Sequence, residues 1–131
     1  MVTRIHVVAG VIYSPARDKI LIAKRPSHVH QGGLWEFPGG KVAPGELSRD
    51  ALCRELLEEL AIRVTVATPL FSEDYDYPDK NIRLESWAVT RYTGVARGNE
   101  GQDIVWVAVD NLRDYAFPPA NSAILARIVG V

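Results

Sequence analysis

Three glutamates stand at i, i+3 and i+4 in the segment Arg54-Glu55-Leu56-Leu57-Glu58-Glu59-Leu60. On an α-helix that spacing crowds Glu55, Glu58 and Glu59 together, where like charges repel by about 0.2–0.5 kcal/mol per pair. Two readings follow from the residues themselves. A solvated acidic face needs no ligand, and Arg54 can neutralise Glu58 at (i, i+4). Alternatively, a hard divalent cation removes the repulsion, because Mg²⁺ prefers carboxylate and phosphate oxygens in an octahedral array.

The element that carries these acids is the clearest in the chain. Ser48 to Leu60 reads as a helix, with Ser48 as its N-cap and Asp50 in the first turn, where negative charge suits the helix dipole. At 100° per residue Leu52, Cys53, Leu56, Leu57 and Leu60 share an arc of about 140°, and the three glutamates an adjacent arc of about 100°. The helix is therefore expected to pack by one side and present carboxylates on another. Strands are expected at Ile5 to Tyr13, Lys19 to Ala23, Ile62 to Ala67, Leu70 to Tyr77, Ile82 to Tyr92 and Ile104 to Val109, from β-branched and aromatic runs bounded by turn signals. Pro26 to Gly33 reads as a loop, Leu34 to Phe37 as a short apolar stretch and Pro38-Gly39-Gly40 as a break. A last helix is expected from about Ala120 to Ile128, after Phe117-Pro118-Pro119.

Composition bounds the function. A chain of 131 residues, 47% hydrophobic and 24% charged, suits one α/β domain spanning residues 1–131. The single cysteine, Cys53, excludes an internal disulfide and favours a reducing compartment. Lys plus Arg number 15 and Asp plus Glu 16, for a net charge of -1. That balance gives no electrostatic reason to bind a nucleic acid polymer or an anionic membrane. Ile5 to Tyr13 is interrupted by His6 and leads into Ser14-Pro15 without a cleavage site, so a cytoplasmic protein is expected.

Gly40, five residues, Glu46, seven residues, then Arg54-Glu55-Leu56-Leu57-Glu58-Glu59-Leu60-Ala61-Ile62 resembles the signature of the Nudix hydrolases at six polar or glycine positions over 23 residues. One position departs: the family has Gly where this chain has Ala61. That Gly would end the helix in a left-handed conformation, which costs Ala about 1 kcal/mol. The resemblance implies a Nudix-type α/β/α sandwich with a mixed β-sheet between helices. It implies Glu55, Glu58 and Glu59 as metal ligands, with the Gly39 carbonyl contributing and Glu46 nearby, and Arg54 orienting the carboxylates. Mg²⁺ is the implied metal, with Mn²⁺ able to substitute. Glu55 is the first candidate for general base and Glu46 the second.

The resemblance covers nearly the whole chain and is closest to the MutT-type enzymes, which remove oxidised guanine nucleotides such as 8-oxo-dGTP. It rests on Lys24-Arg25, on Leu34-Trp35-Glu36-Phe37-Pro38-Gly39-Gly40-Lys41, on Tyr77-Pro78-Asp79 and on Phe117-Pro118-Pro119-Ala120-Asn121. It implies a pyrophosphohydrolase that converts a nucleoside triphosphate to monophosphate and pyrophosphate, as a monomer or weak dimer. Pyrimidine triphosphates such as CTP, a broad dNTP activity, a non-catalytic nucleotide-binding module and the N-terminal part of a longer enzyme stay open. Asn121 would read the base, since an amide presents one acceptor and two donors to a purine edge; it also suits a helix N-cap. Phe37 and Tyr77 would stack on or wall in the base, or serve the core. Arg25, Lys24 and Lys41 would meet phosphate or base oxygens, and His30 would line the pocket; His28 and His30 read otherwise as loop histidines. Glu100 matches a loop carboxylate that approaches the metal, or is an exposed loop acid. Trp35 and Trp87 read as core or pocket lining.

Overall fold

β1 (Ile5–Tyr13) and β2 (Lys19–Lys24) are the most deeply buried strands, each through its middle. Their connection is tight: the Ser14 hydroxyl donates to Asp18 at 2.9 Å and accepts from the Lys19 N–H at 3.1 Å, while Arg17 takes φ 60°. The computed structural model describes residues 4–26 and 33–128. Within them lie five further strands: β3 (Trp35–Glu36), β4 (Gly39–Lys41), β5 (Arg63–Tyr77), β6 (Lys80–Thr93) and β7 (Ile104–Ala108). Two α-helices, α1 (Ser48–Leu60) and α2 (Pro119–Ile128), and a 3-10 helix at Val109–Asp114 complete the chain.

The strands form one mixed sheet in the order β3-β2-β1-β6-β5, with β4 added beside β1 and β7 beside β2. β1 runs parallel to β6 from Ile5↔Ile82 to Ile12↔Val89, and the other pairs are antiparallel. Alternation along β1 divides the core. Val8 and Ile12 face α1 with Leu52, Leu56, Leu60 and Val89. Ala9 and Val11 face α2 and the 3-10 helix with Phe37, Leu84, Leu112 and Ile124. The result is the expected helix–sheet–helix sandwich.

Several boundaries differ from the sequence reading. The expected strands Ile62 to Ala67 and Leu70 to Tyr77 are one strand, β5, which passes through Pro69 by register shifts between Val64 and Phe71. Bulges and a proline are tolerated there because β5 lies at the sheet edge. The Pro38-Gly39-Gly40 break includes the start of β4, paired with Val7, Val8 and Ala9. Ser48 is not the N-cap of α1. Leu47 holds that place in extended conformation (φ -74°, ψ 144°) without a side-chain bond, because Ser48 is already helical. At the other end Ala61 adopts φ 60°, ψ 30°, the left-handed cap a glycine would take more cheaply.

The opening that becomes the site arises where β1 divides its edge. Its C-terminal part pairs with β2 at Ile12 and Tyr13, and its N-terminal part with β4 at Val7 to Ala9. The stretch from β3 to β4 bridges the fork, tied by the Gly10 N–H to the Pro38 carbonyl at 2.7 Å. Gly39 is needed for this approach: a Cβ there would lie 1.9 Å from the Val8 carbonyl oxygen. Among the described residues no helix is long and apolar enough to cross a membrane.

Candidate active site

Arg54 is the hub of the acidic helix. Its Nε and Nη2 donate to the two oxygens of Glu46 at 2.9 and 3.0 Å, a bidentate pair, and Nη1 donates to Glu55 at 2.9 Å. Nη1 also lies 3.5 Å from Glu58, and Nη2 donates to the Lys41 carbonyl at 3.1 Å. Glu46 accepts a further bond from the Ala43 N–H at 3.0 Å. The Arg54 fork and then this N–H pull the Glu46 carboxyl down to about 2. Both Glu46 oxygens are thus engaged, which places it as the partner that orients Arg54.

The buried side of α1 is not the one the wheel of leucines suggests. Ala51, Leu52, Leu56 and Leu60 are fully buried, whereas Leu57 is exposed. Ala51 brings the buried arc round to include the positions of Glu55 and Glu59, and leaves Glu58 half-exposed toward solvent. Room for Glu55 comes from glycine. A Cβ on Gly40 would fall 2.3 Å from the Glu55 carboxyl carbon. Burial pushes Glu55 above the ordinary carboxylate range, against the Arg54 hydrogen bond that lowers it. Glu59 is more extreme: burial, then the charges of Glu36, Glu55 and Glu100, push it up to about 9. The Gly39 N–H bonds this carboxyl, yet its Oε2 is buried with no hydrogen-bond partner.

Among the described residues no three acid, histidine or cysteine side chains are gathered into a ready metal cage. Arg54 lies between Glu55 and Glu58 and keeps them from closing on one point. The donor set nevertheless suits a hard divalent cation. An unpartnered buried carboxylate oxygen, in the field of three more acids, favours a cation or a proton beside it.

Glu59 lines a cavity of about 270 Å³ together with the apolar Phe37, Ile82 and Leu84 and the polar Arg25, Lys41 and Asn121. Asn121 is inside α2, which begins at Pro119, so it is not the helix cap. Its Oδ1 accepts from the Phe37 N–H at 3.1 Å across 84 residues of chain. That bond fixes the amide's orientation, since only the oxygen can accept. Phe37 is 2% exposed and stacks on Phe117 with centroids 5.2 Å apart, a core residue whose edge lines the cavity. Tyr77 also lines it, and its hydroxyl accepts from the Ala120 N–H at 3.0 Å, anchoring the start of α2.

Arg25 pairs with Glu36 at 3.1 Å on the cavity wall. Sequence reasoning passed over Glu36; its signal was an acid set between Trp35 and Phe37 in a strand, where an apolar residue is usual. Glu100 lies in an adjoining cleft with Lys24, Arg25 and Gln102, and its charge reaches Glu55 and Glu59. Lys80, at the β5–β6 turn, borders the main cavity and was also missed. Trp35 packs edge-on against Tyr115 at 5.4 Å, and Trp87 packs with the α1 core. His28 and His30 lie outside the described residues.

The sequence profile of the NUDIX domain matches residues 8–127. The chain is 42% identical over 128 residues to the CTP pyrophosphohydrolase of Escherichia coli strain K12, covering 97% of this chain and 93% of that protein. It is 34% identical over 125 residues to the 8-oxo-dGTP diphosphatase of the same organism, covering 95% and 96%. A solved structure from work on MutT of Aliivibrio salmonicida and Vibrio cholerae superposes with a TM-score of 0.86 at 39% identity, covering 98% of both chains. Nudix hydrolases generally require a divalent metal, and the acid-lined cavity fits one. Fold, acidic helix and relatives agree, and the chain belongs to the Nudix family as a hydrolase of the MutT type.

Proposed function

We propose that this enzyme is a Mg²⁺-dependent nucleoside triphosphate pyrophosphohydrolase of the cytoplasm, acting as a single domain on oxidised dGTP. The observation that carries the reading is the unpartnered buried oxygen of Glu59 in the lining of a cavity that also bears the fixed amide of Asn121. A cavity lined by acids, by cationic side chains and by apolar groups suits a triphosphate whose base lies against Asn121.

A bound divalent cation supplies the charge neutralisation that lets water approach a phosphoanhydride. Glu55, held between Gly40 and Arg54, takes a proton from the attacking water. The water oxygen bonds to the β-phosphorus, the bridging oxygen leaves with the nucleoside monophosphate, and pyrophosphate departs. Glu46 keeps Arg54, and so Glu55, in place. Arg25 and Lys41, both on the cavity wall, meet phosphate or base oxygens.

Asn121 reads the base. With Oδ1 held by Phe37, its NH₂ is the group left to meet a base carbonyl such as guanine O6, and the second lone pair of Oδ1 meets the N7 hydrogen that oxidation at C8 creates. Several relatives are named 8-oxo-dGTP diphosphatases, which supports this choice. CTP is the second reading, favoured by the 42% identity to a CTP pyrophosphohydrolase; a cytosine carbonyl would accept the same NH₂.

The test is a panel of initial rates on dGTP, 8-oxo-dGTP, CTP and dCTP with product identification. Wild-type enzyme should release pyrophosphate fastest from 8-oxo-dGTP, and Glu55→Gln should lose that release. Asn121→Ala should lower the preference for the oxidised base by about tenfold, since an unpaired buried partner costs about 1–3 kcal/mol. Asn121→Asp retains the acceptor for Phe37 but removes the NH₂, and should lower it similarly. Fastest turnover of CTP would transfer the assignment to the second reading. Absence of pyrophosphate from every nucleotide would refute both.

A further inference from the structure

The loop that carries Glu100 is fastened to the C-terminal end of α1, the end that carries Glu58 and Glu59. Helix C-termini leave their last carbonyls without intrahelical partners. Here three successive ones are taken up by a single loop. The Arg97 N–H donates to the Leu60 carbonyl at 3.0 Å and the Asn99 N–H to the Glu59 carbonyl at 2.9 Å. Two side-chain amides add to these. Asn99 Nδ2 donates to the Glu58 carbonyl at 2.9 Å, and Gln102 Nε2 donates to the Glu59 carbonyl at 3.0 Å.

Gln102 has a second bond, its Oε1 accepting the Glu100 N–H at 3.0 Å. One amide group therefore joins the backbone of Glu100 to the backbone of Glu59. The path of the loop depends on glycine: a Cβ on Gly98 would lie 2.0 Å from the Gln102 carbonyl oxygen, and Gly101 takes φ +83°. These bonds hold the Glu100 loop at the end of α1, and the charge of Glu100 acts on both Glu55 and Glu59.

We infer that Asn99 and Gln102 are positioning residues: their amides clamp the Glu100 loop onto the end of α1 and thereby set the cluster's affinity for a divalent cation. The inference rests on the metal-dependent reading above. Groups that orient ligands without touching the metal typically govern affinity by about 10–100-fold. Gln102, which bonds both acid-bearing backbones, is the stronger of the two.

The experiment is Mn²⁺ binding without nucleotide, followed by the electron paramagnetic resonance of free Mn²⁺, on wild type, Glu55→Gln, Glu100→Gln, Gln102→Met and the double variant Glu100→Gln/Gln102→Met. Gln102→Met is neutral, similar in length, and removes both bonds. It should weaken Mn²⁺ binding about tenfold. In the double variant the loss should be no greater than in Glu100→Gln alone, because the clamp acts through Glu100. A purely structural role predicts losses that multiply instead, and that result overturns the inference. So does Gln102→Met binding Mn²⁺ as wild type does while Glu55→Gln does not, which leaves the hydrolase reading intact. Wild type binding no Mn²⁺ defeats both. Should Gln102→Met fail to fold, Gln102→Asn retains the amide, shortens its reach by one methylene and carries the same expectation.

Discussion

Gly40→Ala isolates the chemistry from the fold. The added Cβ would stand 2.3 Å from the Glu55 carboxyl carbon and 2.5 and 2.6 Å from its oxygens, where ordinary contact begins at 3.4 Å. The carboxylate must retreat by roughly 1 Å, and a displacement of that size costs about 10²-fold in rate. The stability cost should be small, because the obstructed atoms are the far end of a flexible side chain; an off-rotamer adjustment costs about 0.5–1.5 kcal/mol. The neighbouring change, Gly39→Ala, has the opposite balance. Its Cβ would meet the Val8 carbonyl oxygen at 1.9 Å, in backbone that cannot step aside without parting β4 from β1. Overpacking of that kind costs about 1–3 kcal/mol or more. The assay pairs pyrophosphate release at saturating Mg²⁺ and nucleotide with thermal unfolding of the metal-free protein. Gly40→Ala should lose about two orders of magnitude in rate and melt within a few degrees of wild type, while Gly39→Ala should melt far lower. A Gly40→Ala enzyme with full activity would show that the placement of Glu55 is irrelevant to turnover.

Ala61→Gly should stabilise the protein by about 1 kcal/mol, since Ala61 holds a left-handed conformation at φ 60°. Calorimetry should show the melting temperature rise by roughly 3–5 °C, and a fall would mean that the cap carries no strain. Arg83→Gln addresses pH. Hydrogen bonds from Arg83, at 2.9 and 3.4 Å, hold the Asp74 carboxyl below its ordinary 3.8. A lowered folded-state value means that the contribution is complete above pH 3.8 and disappears as pH falls through the depressed value. In Arg83→Gln, carboxyl-carbon NMR should show Asp74 titrating nearer 3.8; an unmoved midpoint would mean that Arg4, the other cation beside it, suffices.

Much of the frame was legible because it is local. β1, β2 and α1 follow from runs of β-branched residues and from leucine periodicity, and α1 spans Ser48–Leu60 as read. Boundaries failed where the deciding partner was distant. β4 looks like a glycine break because its strand conformation comes from Val7, Val8 and Ala9 rather than from its own residues. β5 crosses Pro69 unbroken because β6 supplies pairing on both sides of the bulges.

The sequence by itself determined which residues bear charge and that Glu55, Glu58 and Glu59 share a helical turn, because spacing along a helix is fixed by local geometry. Only the tertiary structure decided which of them turn inward. The sheet packs against an arc centred nearer Ala51 than Leu57, and Gly40 leaves space for the Glu55 carboxylate where a side chain would have stood. It alone also joined Asn121 to Phe37 and Gln102 to Glu59. Hydrogen bonds between segments so far apart in the chain leave no periodic trace in either one.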